Sequence, residues 1–195
     1  MRILHISDVH GRVGADRMIR AAERVGAKLI VMSGDIESAS ILRELASSFQ
    51  TLYSSGNMDP YSVLETAEEL GILLDGRIIE LEGMKFAGVG PYTEKKDEEK
   101  LSNLVNPDDR WVLVSHVPPL NTQADLAFIG RHIGSRRVRR IVRELKPLAC
   151  LCGHVHESPA IFKLWETLVV NPGPAFRGRC AVVDLDSLAV EHFKF

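Results

Sequence analysis

The chain has 195 residues, enough on a prior of about 150 residues per domain for one domain over residues 1–195, which can bury sufficient surface to fold without disulfides or a structural metal. With 45% hydrophobic residues, 26% charged residues and a formal net charge of −2, it is neither a disordered chain nor a dedicated nucleic-acid binder. No apolar run approaches the roughly 18 to 20 residues of a membrane helix, and Met1-Arg2 leads straight into Ile3-Leu4-His5-Ile6-Ser7 without a signal-peptide pattern, so a cytoplasmic location is expected.

In chain order, Arg2 to Ser7 reads as a short strand ending in Asp8-Val9-His10-Gly11. Ala15, Met18, Ile19, Ala22 and Val25 follow at helix spacing and stop at Gly26. Lys28 to Ser33 is a second strand, ending in Gly34-Asp35, and Ile41, Leu42 and Leu45 mark a second helix. Thr51 to Ser54 runs into Gly56-Asn57-Met58-Asp59, and Val63, Leu64, Ala67 and Leu70 form a third helix before Gly71. From about Arg77 the pattern changes to hairpins, with Arg77 to Leu81 and Lys85 to Val89 joined around Gly83-Met84. Glu94 to Lys100 mixes both charge signs and reads as an exposed helix or loop. Trp111 to Ser115 ends at His116, and Val138, Ile141, Val142 and Leu145 form a fourth helix before Pro147. Leu148 to Cys152 ends in Gly153-His154-Val155-His156. Leu168 to Val170, Arg179 to Leu185 and Leu188 to Phe195 close the chain as strands, the last two joined at Asp186-Ser187.

Strands alternating with helices imply a largely parallel sheet whose buried strands read as continuous apolar runs, and the hairpins imply a second packed sheet. In open α/β sheets ligands collect outside the carboxyl ends of the strands. Five strands here finish there at chemically loaded turns. The three cysteines are odd in number and in no CxxC spacing, and Cys150 and Cys152 alternate along a buried strand, so they read as reduced core thiols.

Asp8 and His10 are two apart at a strand end; if the chain stays extended, both project to the same side and can grip one cation, and His154 and His156 repeat that spacing. With Asp35, Asn57 and His116 from three other strand ends, seven oxygen or nitrogen donors converge on one rim. Carboxylate, imidazole and amide together suit Mn, Fe, Zn, Ni or Co better than a thiolate-selected metal. Seven donors exceed a four-coordinate structural zinc and suit two metals sharing a carboxylate. Singly, each residue has a plainer reading as a helix cap, turn former or hydrogen-bonded loop residue. Their coincidence at five strand ends does not.

The ordered series Asp8-x-His10, Gly34-Asp35, Gly56-Asn57, Ser115-His116 and Gly153-His154-x-His156 resembles the calcineurin-like metallophosphoesterases, and Asn171-Pro172-Gly173-Pro174 is similar to that family's turn near the C-terminus. The resemblance implies a four-layer αββα sandwich with a two-metal site on its edge. It implies Asp8, His10 and His156 on the first metal, Asn57, His116 and His154 on the second, and Asp35 bridging. It further implies hydrolysis of a small anionic phosphoester by a hydroxide held between two divalent ions, manganese first among them.

Met58 stands where many members of that family carry a histidine thought to assist the leaving group, and methionine cannot donate a proton. Activity is therefore expected to lean toward phosphodiesters whose leaving oxygen needs little protonation, aryl or nucleotide-derived, and Asp59 is left free for another role or for none. His132, in the Gly-bounded loop Ile129 to Ser135, is either a loop-packing histidine, the simpler reading, or a replacement proton donor. His5 reads as a core residue, and Arg131, Arg136, Arg137, Arg139, Arg140 and Arg143 as a solvated helix face rather than a nucleic-acid contact. The alternative from another class is a non-catalytic interaction scaffold on the same fold, which the loss of the histidine at Met58 keeps open.

Overall fold

The computed structural model describes residues 1–106 and 109–195. Strands β1 (Arg2–Ile6), β2 (Leu29–Ser33) and β3 (Thr51–Ser54) run parallel and alternate with helices α1 (Ala15–Arg24), α2 (Ala39–Ser48) and α3 (Tyr61–Glu69). Two hairpin strands, β4 (Ile78–Leu81) and β5 (Met84–Val89), lead to α4 (Glu94–Leu104), β6 (Trp111–Ser115), α5 (Arg136–Leu145) and β7 (Ala149–Leu151). The chain closes with β8 (Ala160–Leu164), β9 (Thr167–Asn171), β10 (Arg179–Asp184) and β11 (Val190–Lys194).

One sheet has the order β11-β10-β1-β2-β3, and the other β4-β5-β6-β7-β9-β8. Both are mixed: β5, β6, β7 and β9 are parallel neighbours, while β4, β8, β10 and β11 pair antiparallel at the flanks.

The layering follows from the two-residue period of the strands. Ile3, Leu29, Val31 and Leu52 face the second sheet and pack on Phe86, Val112, Val114 and Leu151. Their alternates Leu4, Ile6, Ile30 and Met32 face outward onto Met18, Ala22, Leu42 and Val63 of the first three helices. The second sheet likewise turns Ala87, Leu113, Cys150 and Val169 toward Leu101, Val138, Ile141 and Val142 of α4 and α5. Both faces of each sheet are thus covered, which gives an αββα sandwich, and each buried Val, Leu or Ile contributes about 1.5–3 kcal/mol.

Local signals set the helix ends. Ser38 and Ser135 cap α2 and α5 by accepting the N–H groups of Ile41 and of Arg137 and Val138. Gly26, at φ +64°, ends α1. Strand β8 was not expected: its residues alternate between partly buried and exposed at a sheet edge, and no strong apolar run announces it. The mixed-charge segment forms α4, whose Glu98 binds Arg137 and Arg140 of α5, so two of the arginines serve as surface pairs. Cys150, Cys152 and Cys180 are buried and free. No helix among the described residues is long and apolar enough to cross a membrane.

Candidate metal centre

The ends of β1, β2, β3, β6 and β7 meet on one edge. The loops after β1 and β2 run side by side, with the N–H of Asp8 donating to Gly34 O at 3.1 Å and that of His10 to Asp35 O at 2.8 Å. The loops after β6 and β7 join through the N–H of Gly153 and His116 O at 2.9 Å. Close approach here demands glycine: a Cβ on Gly56 would collide with Asp35, and one on Gly153 with Ser7 and Asp8.

The donors gather in overlapping groups. Asp8, His10 and His156 offer ligand atoms within 4.8 Å of one another, as do Asp8, Asp35 and His116, and His10, Asp35 and Glu37. His156 Nε2 lies 3.0 Å from Asp8 Oδ1 and 3.3 Å from His10 Nε2. His154 packs its ring in a T-shaped arrangement with His116, with centroids 5.0 Å apart. The expected reason for the Asp8–His10 pairing is wrong, although the two side chains do meet. Asp8, His10 and His154 have φ of +57°, +50° and +67°, so the chain is turned rather than extended, and strand alternation does not orient them. Asn57 lies beside the same groups: the next N–H, of Met58, donates to Asp35 Oδ1 at 2.8 Å. His132 is not among these groups; it sits on the strap after β6 with Nδ1 2.7 Å from Asp125 Oδ1.

Asp8, Asp35 and His116 are 1%, 2% and 0% exposed, which is costly for charged groups unless they are paired. Burial pushes the Asp8 carboxyl up, but the His156 hydrogen bond and the His116 charge outweigh it, and it settles at about 2. Burial pushes Asp35 up as well, and the hydrogen bond and charge of His116 more than reverse it. Burial pushes His116 down, yet the carboxylates of Asp35 and Asp8 raise it to about 9. Two buried carboxylates around one imidazole therefore make a hole that favours positive charge. The chemistry of the donor set fits divalent ions on a second count: Asn57 Oδ1 is buried with no hydrogen-bond partner among the described residues, and His116 Nε2, also buried, faces Asp35 Oδ2 at 3.3 Å.

Supporting residues were largely missed from the sequence. Glu37 Oε1 takes His10 Nδ1 at 2.6 Å and leaves Nε2 facing the group, while Ser33 O takes His116 Nδ1 at 2.8 Å. The Asp35-x-Glu37 spacing was the available signal for the first. Asn171, buried at the end of β9, donates to Val155 O and Ser158 O at 3.1 and 3.0 Å and holds the turn that carries His154 and His156. Phe176 sets its edge against His10 and His156, with the guanidiniums of Arg12 and Arg177 over its ring. His5 is a core residue bonded through Nε2 to Ser33 Oγ at 2.9 Å, though its Nδ1 lacks a partner.

The sequence model of the calcineurin-like phosphoesterase superfamily domain matches residues 1–187. An uncharacterized protein of Methanocaldococcus jannaschii, MJ1162, is 32% identical over 89% of this chain and 88% of its own length. The crystal structure of TT1561 of Thermus thermophilus superposes with a TM-score of 0.82 at 19% identity, covering 99% of this chain and 98% of that one. A structure described as a novel archaeal phosphodiesterase superposes at 0.66 with 15% identity over the full length of both chains.

Proposed function

The chain belongs to the calcineurin-like phosphoesterase superfamily, and from that premise we propose that residues 1–195 act as one cytoplasmic, metal-dependent phosphodiesterase domain working on a small anionic phosphoester. The observation that carries the reading is the convergence of two buried carboxylates, four histidines and Asn57, whose buried Oδ1 has no hydrogen-bond partner among the described residues. Asp8, His10 and His156 would hold one divalent ion, manganese first among the candidates, and Asn57, His116 and His154 a second, with Asp35 shared. Two such ions supply the charge neutralisation and water activation that phosphoester hydrolysis requires.

The protein's own residues do the rest. Asp8 and Asp35 cancel only part of the charge of two divalent ions, so the filled site attracts an anion, and Arg12 and Arg177 beside Phe176 add to that attraction. Met58 can deliver no proton to a leaving oxygen. His132, on the strap after β6 with its Nδ1 held by the buried carboxylate of Asp125, is the candidate replacement donor, although it lies outside the donor groups themselves. An ester with a good leaving group needs this proton least, so the absence of a donor at position 58 supports activity on aryl and nucleotide-derived diesters. Three buried free thiols suit a reducing compartment.

The test is Asp35→Asn, with metal content and turnover measured together. Loss of bound metal and of diester hydrolysis is expected. Full retention of both would remove Asp35 from the shared position.

A further inference from the structure

Tyr92 follows β5 in the turn before α4 and is 79% exposed, yet its hydroxyl donates to the main-chain oxygen of Asn57 at 2.8 Å. The ring is thus tethered at the mouth of the candidate metal centre with its face open. Met58, the residue after Asn57, is 57% exposed while its N–H is pinned to Asp35. Scattered exposed hydrophobics need no explanation, but apolar groups gathered beside convergent polar donors are the usual make-up of a ligand site.

We propose that Tyr92 and Met58 form a platform for a planar aromatic group on the substrate, so that the site selects phosphoesters carrying an aryl or nucleobase moiety over those of small alkyl alcohols. This rests on the phosphoesterase reading above, and it adds the part of the substrate that the metal-site donors do not touch. Those donors can recognise only the phosphoryl group. The tether through the Tyr92 hydroxyl fixes the ring before binding, which reduces the ordering that a stacked ligand would otherwise impose. Methionine is well suited beside it, since a thioether packs favourably against an aromatic ring. A histidine at position 58 would place a polar, protonatable edge on the same surface.

The test uses binding rather than turnover. Calorimetry on the manganese-loaded protein compares the monomethyl esters of phenylphosphonate and of the methylene phosphonate analogue of AMP, which carry the single negative charge of a diester, with that of methylphosphonate; none of these requires catalysis to be read. The wild-type protein is expected to favour the aromatic ligands, and Tyr92→Ala to reduce that preference by about tenfold, the scale of one stacked ring. Tyr92→Phe, which keeps the ring and loses the tether, should retain most of the preference. A preference shared by both aromatic ligands, or confined to one, distinguishes nucleoside from aryl sources within the same chemistry. An unchanged preference in Tyr92→Ala, or an equal loss in Tyr92→Phe, overturns the platform. Absence of binding by all three phosphonates overturns the phosphoesterase reading itself, a result distinct from binding without aromatic preference.

Discussion

Asp59 takes the main-chain N–H of Asp35 on its Oδ2 at 2.8 Å. The same oxygen accepts Gly56 N–H at 2.7 Å and the Tyr53 hydroxyl at 2.6 Å, while Oδ1 accepts Glu37 N–H at 2.8 Å. One carboxylate therefore binds the loop after β2, which carries Asp35 and Glu37, to the loop after β3, which carries Asn57. With no histidine at position 58 to orient, Asp59 has not been left idle; it fixes the separation of two donor-bearing loops. Asp75 does similar work one step back, accepting Ser54 Oγ at 2.6 Å and Ser55 N–H at 3.2 Å at the end of β3.

Removing that clamp is expected to cost both stability and metal. Hydrogen bonds to a charged group contribute about 1.5–3 kcal/mol each and are not additive, so Asp59→Ala should lower unfolding free energy by about 2–4 kcal/mol. Denaturant titration checks the first effect and metal analysis of the folded protein the second. Asp59→Asn, which retains acceptor capacity on one oxygen, should fall between.

Met58→His tests the origin of the diester preference. A positioned general acid is worth about 10²- to 10⁴-fold, so the variant should gain at least about tenfold in hydrolysis of an alkyl phosphomonoester such as glycerol phosphate, whose alkoxide needs the proton, at unchanged metal content. No gain with both ions bound would count against the account of the missing proton donor.

His132→Gln should separate substrates by leaving group. Alkyl diesters, whose alkoxide needs protonation, should slow by about 10²-fold, and p-nitrophenyl diesters much less. An equal loss on both classes would mean that His132 only packs the strap.

The strap also carries a pH dependence. Burial pushes the Asp125 carboxyl up, but the N–H of Thr122, the His132 ring and the N–H groups of Gly134 and Asn121 more than reverse this and hold it below the ordinary range. Because the folded value is lower than the unfolded one of about 3.9, its stabilisation is complete above that pH and drains away as the pH falls through the folded value. Thermal unfolding of the wild-type protein and Asp125→Asn should therefore differ most near neutrality and converge below about pH 4. A gap that widened on acidification would contradict the assignment.

The sequence disclosed most where chemistry and burial coincide. Strands covered on both faces are largely apolar runs, so β1, β2, β3, β6 and β7, and the Asp, Asn and His residues that gather at their ends, could be read directly. Edge strand β8 and helix α4 could not be read the same way, because β8 has no continuous apolar run and α4 buries Asp97 and Glu98 beside a single leucine. The geometry at Asp8 and His10 escaped because left-handed backbone at non-glycine residues leaves no mark in residue spacing. Glu37, Asp59, Asp75 and Tyr92 reach across the site through contacts 20 to 35 residues away in the chain, which no local pattern encodes.

The most direct test is a single preparation loaded with manganese, in which bound ions are counted and bis(p-nitrophenyl) phosphate and p-nitrophenyl phosphate are compared. The account predicts about two ions per chain, as expected of a paired-metal site, and faster cleavage of the diester. Two bound ions with turnover of neither substrate would contradict it, and would favour an interaction scaffold that keeps the metal site without its chemistry.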